Sequence, residues 1–247
     1  MSETDRRVFR ISGAEAHHFL QNLVTNDLDR LHEGPVYAAL LTPQGKYRAD
    51  FMLVSDGEAG ILLDVAAPLA DDLEKALALY NLRAKVTIER TEIAVARGTG
   101  PAPEGAFADP RDPRMGWRAY DGRPSEEGVD WDALRVQARV PASGVELTPD
   151  SYILEMGFER LNGVDFRKGC FVGQEVTARM KHKTELKKGL ALVEVAGSAE
   201  PGTEITRDGK PAGTLFTQAG GAGLAFLRFA RAGGEMEAGA ARVKVQA

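Results

Sequence analysis

The sequence predicts an α+β protein: two lobes, each with helices packed on an antiparallel sheet, followed by a small C-terminal β-barrel. Three observations lead there. Strand-like runs alternate with amphipathic helical stretches, a connector rich in Gly, Pro and Asp at 98–114 parts two such regions, and after Gly189 short β-type runs alternate with glycine-rich turns. With 247 residues, 43% hydrophobic and 27% charged, the chain is long enough to bury a core. This composition excludes disorder, collagen-like repetition and a disulfide scaffold.

Residues 8–11 are strand-like, and Ser12 with Glu15 matches the Ser-x-x-Glu capping box that opens a helix. Phe19, Leu20, Leu23 and Val24 follow at helical spacing, and Gly34-Pro35 closes the region. Strands are predicted at 36–41, 47–54 and 61–65, parted by the turns Pro43-Gln44-Gly45 and Asp56-Gly57. Pro68 suits the first turn of a second helix, whose Leu69, Leu73, Leu77 and Tyr80 share a face. Residues 86–95 return to β-type, completing a first lobe over 1–97. The second lobe, 98–185, holds a short strand at 117–120 and a helix from Asp132 to about Arg139. Residues 186–247 form the barrel, with strands at 190–195, 204–206, 224–229 and 243–245 and a hairpin turn at Asp208-Gly209.

Several function classes fall away at once. No apolar run approaches the roughly 20 residues that cross a bilayer, so no membrane association is expected. Residues 1–10 are charged where a secretory signal is apolar, and Glu3 and Asp5 suit a mitochondrial leader poorly. A bacterial cytoplasmic setting is expected. One cysteine, Cys170, permits no internal disulfide, and the histidines at 17, 18, 32 and 182 lack ligand spacing, so no self-contained metal site is expected.

The segment with chemical character is 165–179, Asp-Phe-Arg-Lys-Gly-Cys-Phe-Val-Gly-Gln-Glu-Val-Thr-Ala-Arg. Gly169 and Gly173 flank the thiol, and a helix is predicted from Gln174 to about His182. Cys170 thus sits before a helix N-terminus and two residues from Lys168, both of which favour thiolate. From 167 to 188, seven Lys or Arg face two Glu, a net +5 on a chain of net −5. Such a strip suits a local anionic ligand better than wholesale nucleic-acid binding. From the residues alone, an inert buried cysteine and a solvated basic helix face also remain open.

Lys168-Gly169-Cys170-Phe171-Val172-Gly173-Gln174-Glu175 resembles the K-G-C-[YF]-x-G-Q-E signature of the YgfZ family, folate-binding relatives of the glycine-cleavage aminomethyltransferase. Phe19 through Asp27 (F-L-Q-N-L-V-T-N-D), Leu40 through Gly45 followed by Asp50, and Asp109-Pro110-Arg111 are similar to further elements of that family, in order along the chain. The run Met156 to Phe166 resembles its mitochondrial iron-sulfur assembly branch. The resemblance implies two α+β lobes and a barrel around a folate cavity. It also implies a role in assembling or repairing iron-sulfur clusters of a subset of enzymes, tRNA-modifying ones included. Cys170 with Lys168 would be the working pair. A tetrahydrofolate or derivative would be held by Asp50, Asp64, Gln137, Gly169, Gln174, Glu175 and Arg179.

The alternative is a folate-dependent aminomethyl or methyl transferase using Asp50. Departures argue against the ordinary transferase: its Asp-Asp pair is Ala49-Asp50, its asparagine aligns with Asp64, its pterin-gripping glutamate with Gln137, and a following glycine with Arg139. A neutral amide grips a pterin less well than a carboxylate does. Asp50 as a strand-end solvator and Gln137 as an ordinary helix residue stay open too. A direct RNA-binding barrel is disfavoured by the net acidity and by having only Phe216, Phe226 and Phe229 as aromatics. The expected partners are iron-sulfur client enzymes or assembly proteins.

Overall fold

The computed structural model describes residues 5–82, 84–183 and 185–246. The first sheet is antiparallel in the order β2-β3-β4-β1-β5, with β1 (Arg6–Ser12), β2 (Val36–Leu41), β3 (Tyr47–Ser55), β4 (Ile61–Ala66) and β5 (Thr87–Arg90). All six residues of β2 are buried because both faces of the sheet are covered, which is why Val-Tyr-Ala-Ala-Leu-Leu reads as a continuous apolar run. Helices α1 (Ala16–Gln21) and α2 (Ala67–Tyr80) pack Phe19, Leu20, Leu73 and Leu77 on one face, against Ala38, Leu40, Phe51 and Leu53. The opposite face, Tyr37, Ala39, Leu41 and Met52, packs on the second lobe through Phe158, Leu161 and Phe171. Asp50 lies two residues before Met52 and Asp64 pairs across from Met52, so both carboxylates project toward the second lobe.

The second lobe carries a three-stranded sheet, β6 (Ala96–Gly98), β7 (Phe107–Ala108) and β8 (Trp117–Ala119), in the order β6-β8-β7. It also holds α3 (Trp131–Ala138) and α4 (Gln174–Lys183). Asp130 caps α3 by accepting from Ala133 N at 2.9 Å. Arg139 ends α3 in the left-handed conformation, φ 51°, the backbone shape that favours glycine at this position. Its carbonyl accepts from the guanidinium of Arg160 at 2.6 Å.

The barrel is closed in the order β10-β11-β12-β9-β14-β13, formed by β9 (Lys188–Ala196), β10 (Thr203–Arg207), β11 (Lys210–Ala219), β12 (Ala222–Arg228), β13 (Glu235–Ala238) and β14 (Ala241–Val245). Asp208 and Gly209 both take positive φ, as do Gly220 and Gly221, which gives each hairpin the twist its strands require. The barrel docks on the second lobe where α3 meets β11 and β12, and Thr217 joins Arg135 and Glu146.

The architecture matches the α+β lobes and C-terminal barrel read from the sequence, with local differences. Ser12 does not cap α1: it ends β1, while the Glu15 carboxylate accepts from Lys85 N at 2.9 Å instead of from the helix. The helix stops at Gln21, and Val24 bridges to Leu40. Strands β11 and β13 were absent from the sequence reading, since Gly213, Thr214, Thr217 and alternating glutamates dilute their β-type character.

Candidate functional site

The signature loop is built by two distant segments fastening to each other. After α1 the chain turns through Thr25 and Asn26, whose side chains are buried. Thr25 Oγ1 donates to Gly163 O at 2.7 Å and accepts from Ala39 N at 2.9 Å, while Thr25 O accepts from Asp165 N at 3.1 Å. Asn26 Nδ2 donates to Tyr37 O at 2.8 Å and to Asn162 O at 2.6 Å. Lys168 then buries its ammonium in the same turn, donating to Gln21 O (2.6 Å), Val24 O (2.6 Å) and Asn26 O (3.0 Å). All three ammonium hydrogens thus have acceptors. Burial pushes this lysine down to about 8, with Asp27, Asp165 and Asp29 opposing the fall.

On the far side of the cysteine, Phe171 enters the core between the lobes and Val172 packs on the first-lobe core. Gly173, at φ 83°, lies so close to the Pro43-Gln44-Gly45 turn that an added Cβ would sit 2.6 Å from Thr42 O and 3.0 Å from Gly45 Cα. A Cβ on Gly45, φ 75°, would in turn meet Val176 Cβ at 2.8 Å. Cys170, between these anchors, is exposed. The structure thus selects the exposed thiol over an inert buried one.

Of the expected site residues, Lys168, Gly169, Cys170, Gln174, Glu175 and Arg179 fall on this loop and α4. Glu175 and Arg179 pair along the exposed helix face at 2.9 Å. An added Cβ on Gly169 would meet open space. Arg167 is 91% exposed, Lys181 pairs with Glu159, and His182 packs edge-on to Phe166. The strip's Lys183 has a side chain outside the described residues.

The other three expected residues lie apart from this loop in their bonding. Asp50 is enclosed by hydroxyls: Tyr37 donates to Oδ2 at 2.9 Å, and Tyr47 and Ser143 donate to Oδ1 at 2.6 and 2.7 Å. Burial, then the Asp50 charge, pushes both tyrosines well above their ordinary range. Asp64 is fully buried, with Oδ1 accepting from Arg6 at 2.5 Å and Oδ2 accepting from Arg118 at 3.1 Å and Tyr120 at 3.0 Å. Arg118 reaches on to Asp109 at 3.3 Å, and Arg111 grips Asp109 with two bonds of 2.9 and 2.8 Å. Burial raises Asp109, but the Arg111 charge and hydrogen bonds, with Arg118, outweigh it and hold the carboxyl below its usual range. This alternating chain of charges is what the Asp-Pro-Arg element supplies. Gln137 is exposed on α3, and its carbonyl accepts from Arg114 at 2.6 Å.

Sequence reasoning missed Thr25, Asn26 and Asn162 as the fasteners of the loop. The signal was present in the Thr-Asn-Asp end of the first motif, but no local pattern says what it binds 136 residues away. It also missed a cleft of about 450 Å³ where the end of α4 meets the barrel, lined by the apolar Met180 and Leu186, the basic Lys187, Lys188, Arg228 and Arg231, and the acidic Glu185. Arg228 stands directly across from Lys188 on paired strands, two like charges side by side. Glu155, whose carboxyl burial pushes up against the pull of Lys188 at 3.5 Å, closes the inner wall.

Comparison with known proteins agrees with this architecture. The family described as "CAF17, C-terminal beta-barrel domain" matches residues 187–247. The chain is 32% identical over 267 residues to "Iron-sulfur cluster assembly factor IBA57, mitochondrial" of Homo sapiens, covering 90% of this chain and 75% of that protein. The Mus musculus protein of the same name is 30% identical over 272 residues, with the same coverage of 90% and 75%. The solved structure of glycine cleavage system aminomethyltransferase T from Bartonella henselae superposes with a TM-score of 0.78 at 14% identity, covering 99% of this chain and 83% of that one, and so shares the fold. The expected bacterial cytoplasmic setting is corrected by these relatives, which are mitochondrial by name. The expectation rested on Glu3, outside the described residues, and Asp5, and a few charges near the start of a sequence do not report a compartment. Identity at this level across three quarters of the human protein, with the K-G-C-F-x-G-Q-E loop in place, shows that the chain belongs to the YgfZ/CAF17 family, in the branch of the iron-sulfur cluster assembly factor IBA57.

Proposed function

We propose that this chain is an accessory factor for the assembly or repair of iron-sulfur clusters in a subset of enzymes, tRNA-modifying ones included, and that it works through Cys170. The observation that carries the reading is the exposed thiol held outward on a loop anchored on both sides. In the step proposed, the thiol gives its proton to solvent and the thiolate sulfur takes an iron position of a cluster in transit, displacing one existing ligand without change of oxidation state. With one cysteine in the chain, the other ligands belong to a partner, an assembly protein or a client enzyme. The test is complementation of cells lacking their own member of the family. Cys170→Ser is expected to leave a cluster-dependent client inactive at normal protein levels, and full client activity would overturn the reading.

A reduced folate belongs to the same proposal, placed away from Asp50 and Asp64. Asp50 already accepts three hydrogen bonds of the roughly four a carboxylate can take, and Asp64 is sealed among arginines. Both carboxylates are engaged mainly by this chain's own donors, so the site proposed for the pterin lies elsewhere. The cleft beside α4 is the site proposed for it: the apolar Met180 and Leu186 suit a ring system, and Lys187 and Arg228, which together with Lys188 and Arg231 outweigh the lining Glu155 and Glu185, would hold a polyglutamate tail. Titration with tetrahydrofolate triglutamate is expected to show binding that Lys187→Glu with Arg228→Glu weakens on the order of tenfold or more. Equal binding by wild type and double variant would remove the folate from this cleft.

A further inference from the structure

We infer that Lys168 is a positioning residue for the thiol: its buried side chain straps the Cys170 loop to the turn after α1 and does not act on the sulfur. The inference rests on the reading that Cys170 is the working group, and it assigns the lysine a different task from the thiolate-stabilising one expected of a neighbouring cation.

The geometry carries the argument. An ammonium has three hydrogens, and those of Lys168 are directed at Gln21 O, Val24 O and Asn26 O at 2.6, 2.6 and 3.0 Å. These are carbonyls left over where α1 ends and the chain turns, so the lysine fills acceptor positions that the helix cannot. Lys168 is 7% exposed whereas Cys170, two residues on, is exposed, so the two side chains leave the loop in opposite senses. Three further bonds make the same closure: Thr25 Oγ1 to Gly163 O, Asp165 N to Thr25 O, and Asn26 Nδ2 to Asn162 O; a second bond from Asn26 Nδ2, to Tyr37 O, holds the turn on β2. Beyond the cysteine, Phe171 in the core and Gly173 against Gly45 fix the other end. The N-terminal motif and the cysteine signature are therefore two halves of one clasp. A clasp matters to a thiol that must meet a cluster jointly ligated by another molecule, because the reacting atom has to be held in a narrow range of positions before the partner arrives.

Because Cys170 is the only cysteine, alkylation by iodoacetamide reads that sulfur alone. The test is the pH profile of the alkylation rate of the full-length protein under native conditions, together with amide hydrogen exchange. Lys168→Met is expected to raise the rate on the order of tenfold at every pH, with the midpoint of the profile unmoved and exchange faster across 163–172. A midpoint moved upward with exchange unchanged would make the lysine an electrostatic partner of the sulfur and overturn the inference. So would an unchanged profile and unchanged exchange accompanied only by easier global unfolding. Asn26→Ala removes one bond of the clasp, one that holds the turn on β2, and no charge, and is expected to give the same uniform rise at a few-fold amplitude. Should Lys168→Met fail to fold, Asn26→Ala decides alone, and unchanged alkylation and exchange in it would overturn the clasp. None of these readouts requires a cluster, so their failure is separate from failure of the complementation test.

Discussion

The carboxylates Asp50 and Asp64 and the segment 165–173 were all expected in the site, yet the structure treats them in opposite ways. The two carboxylates turn inward, one into a ring of hydroxyls and the other into an alternating chain of arginines and aspartates. The loop sends the Lys168 ammonium inward and leaves the Cys170 side chain outside. The difference teaches that a polar residue in a family motif is available for chemistry only when its atoms are not already engaged. It also separates two kinds of damage, loss of scaffold and loss of function.

That separation can be broken or sharpened by substitution, beginning with the greatest loss of stability. Asp64→Ala removes the buried carboxylate that Arg6 and Arg118 share and is expected to cost about 3–5 kcal/mol in urea unfolding. A change under about 1 kcal/mol would mean that this cluster is not scaffold. Asp50→Asn keeps the shape but weakens three hydrogen bonds to hydroxyls, for an expected loss of about 1–3 kcal/mol.

Lys168 gives a pH signature rather than a single cost. Its folded value of about 8 lies below the ordinary 10.5, so between the two the unfolded chain binds more protons. Stability from this group therefore rises with pH across that window. Tyr37, Tyr47 and Tyr120 are held above 10 by burial first and by Asp50 or Asp64 next, so their contribution falls as pH passes 10. The window from about 8 to 10 isolates the lysine, and the rise seen there in wild type is expected to flatten in Lys168→Met. Smallest of all, Cys170→Ser at an exposed site is expected to change stability by less than about 0.5 kcal/mol while abolishing support of a cluster-dependent client. A large loss of stability in that variant would move the thiol to the scaffold side of the comparison.

Much of this was legible in the sequence. The alternation of strands and helices gave the first lobe, because both faces of that sheet are packed and its strands read as apolar runs. The glycine-rich turns marked the barrel, although β11 and β13 were lost because their pairing comes from neighbours rather than from their own residues. The helix after Gly173 and the thiol before it were both readable, since glycine, charge order and helix start are local signals. What Lys168, Asp50 and Asp64 touch was not. Apart from Tyr47, three residues before Asp50, their partners lie 13 to 147 residues away in sequence, and a motif states that a residue is needed without saying which way it faces.

The contact between Gly45 and Gly173 carries a consequence for heredity. The two positions belong to different motifs 128 residues apart, yet Gly173 lacks a side chain where the Gly45 backbone lies, and Gly45 lacks one where Val176 of the following helix packs. Neither has anything left to give up. A substitution at one therefore cannot be rescued by shrinking the other, and second-site suppressors of Gly45→Ala are expected at Val176, never at 173. In a genetic screen, the turn of the first lobe and the signature loop would segregate as a single locus of sensitivity.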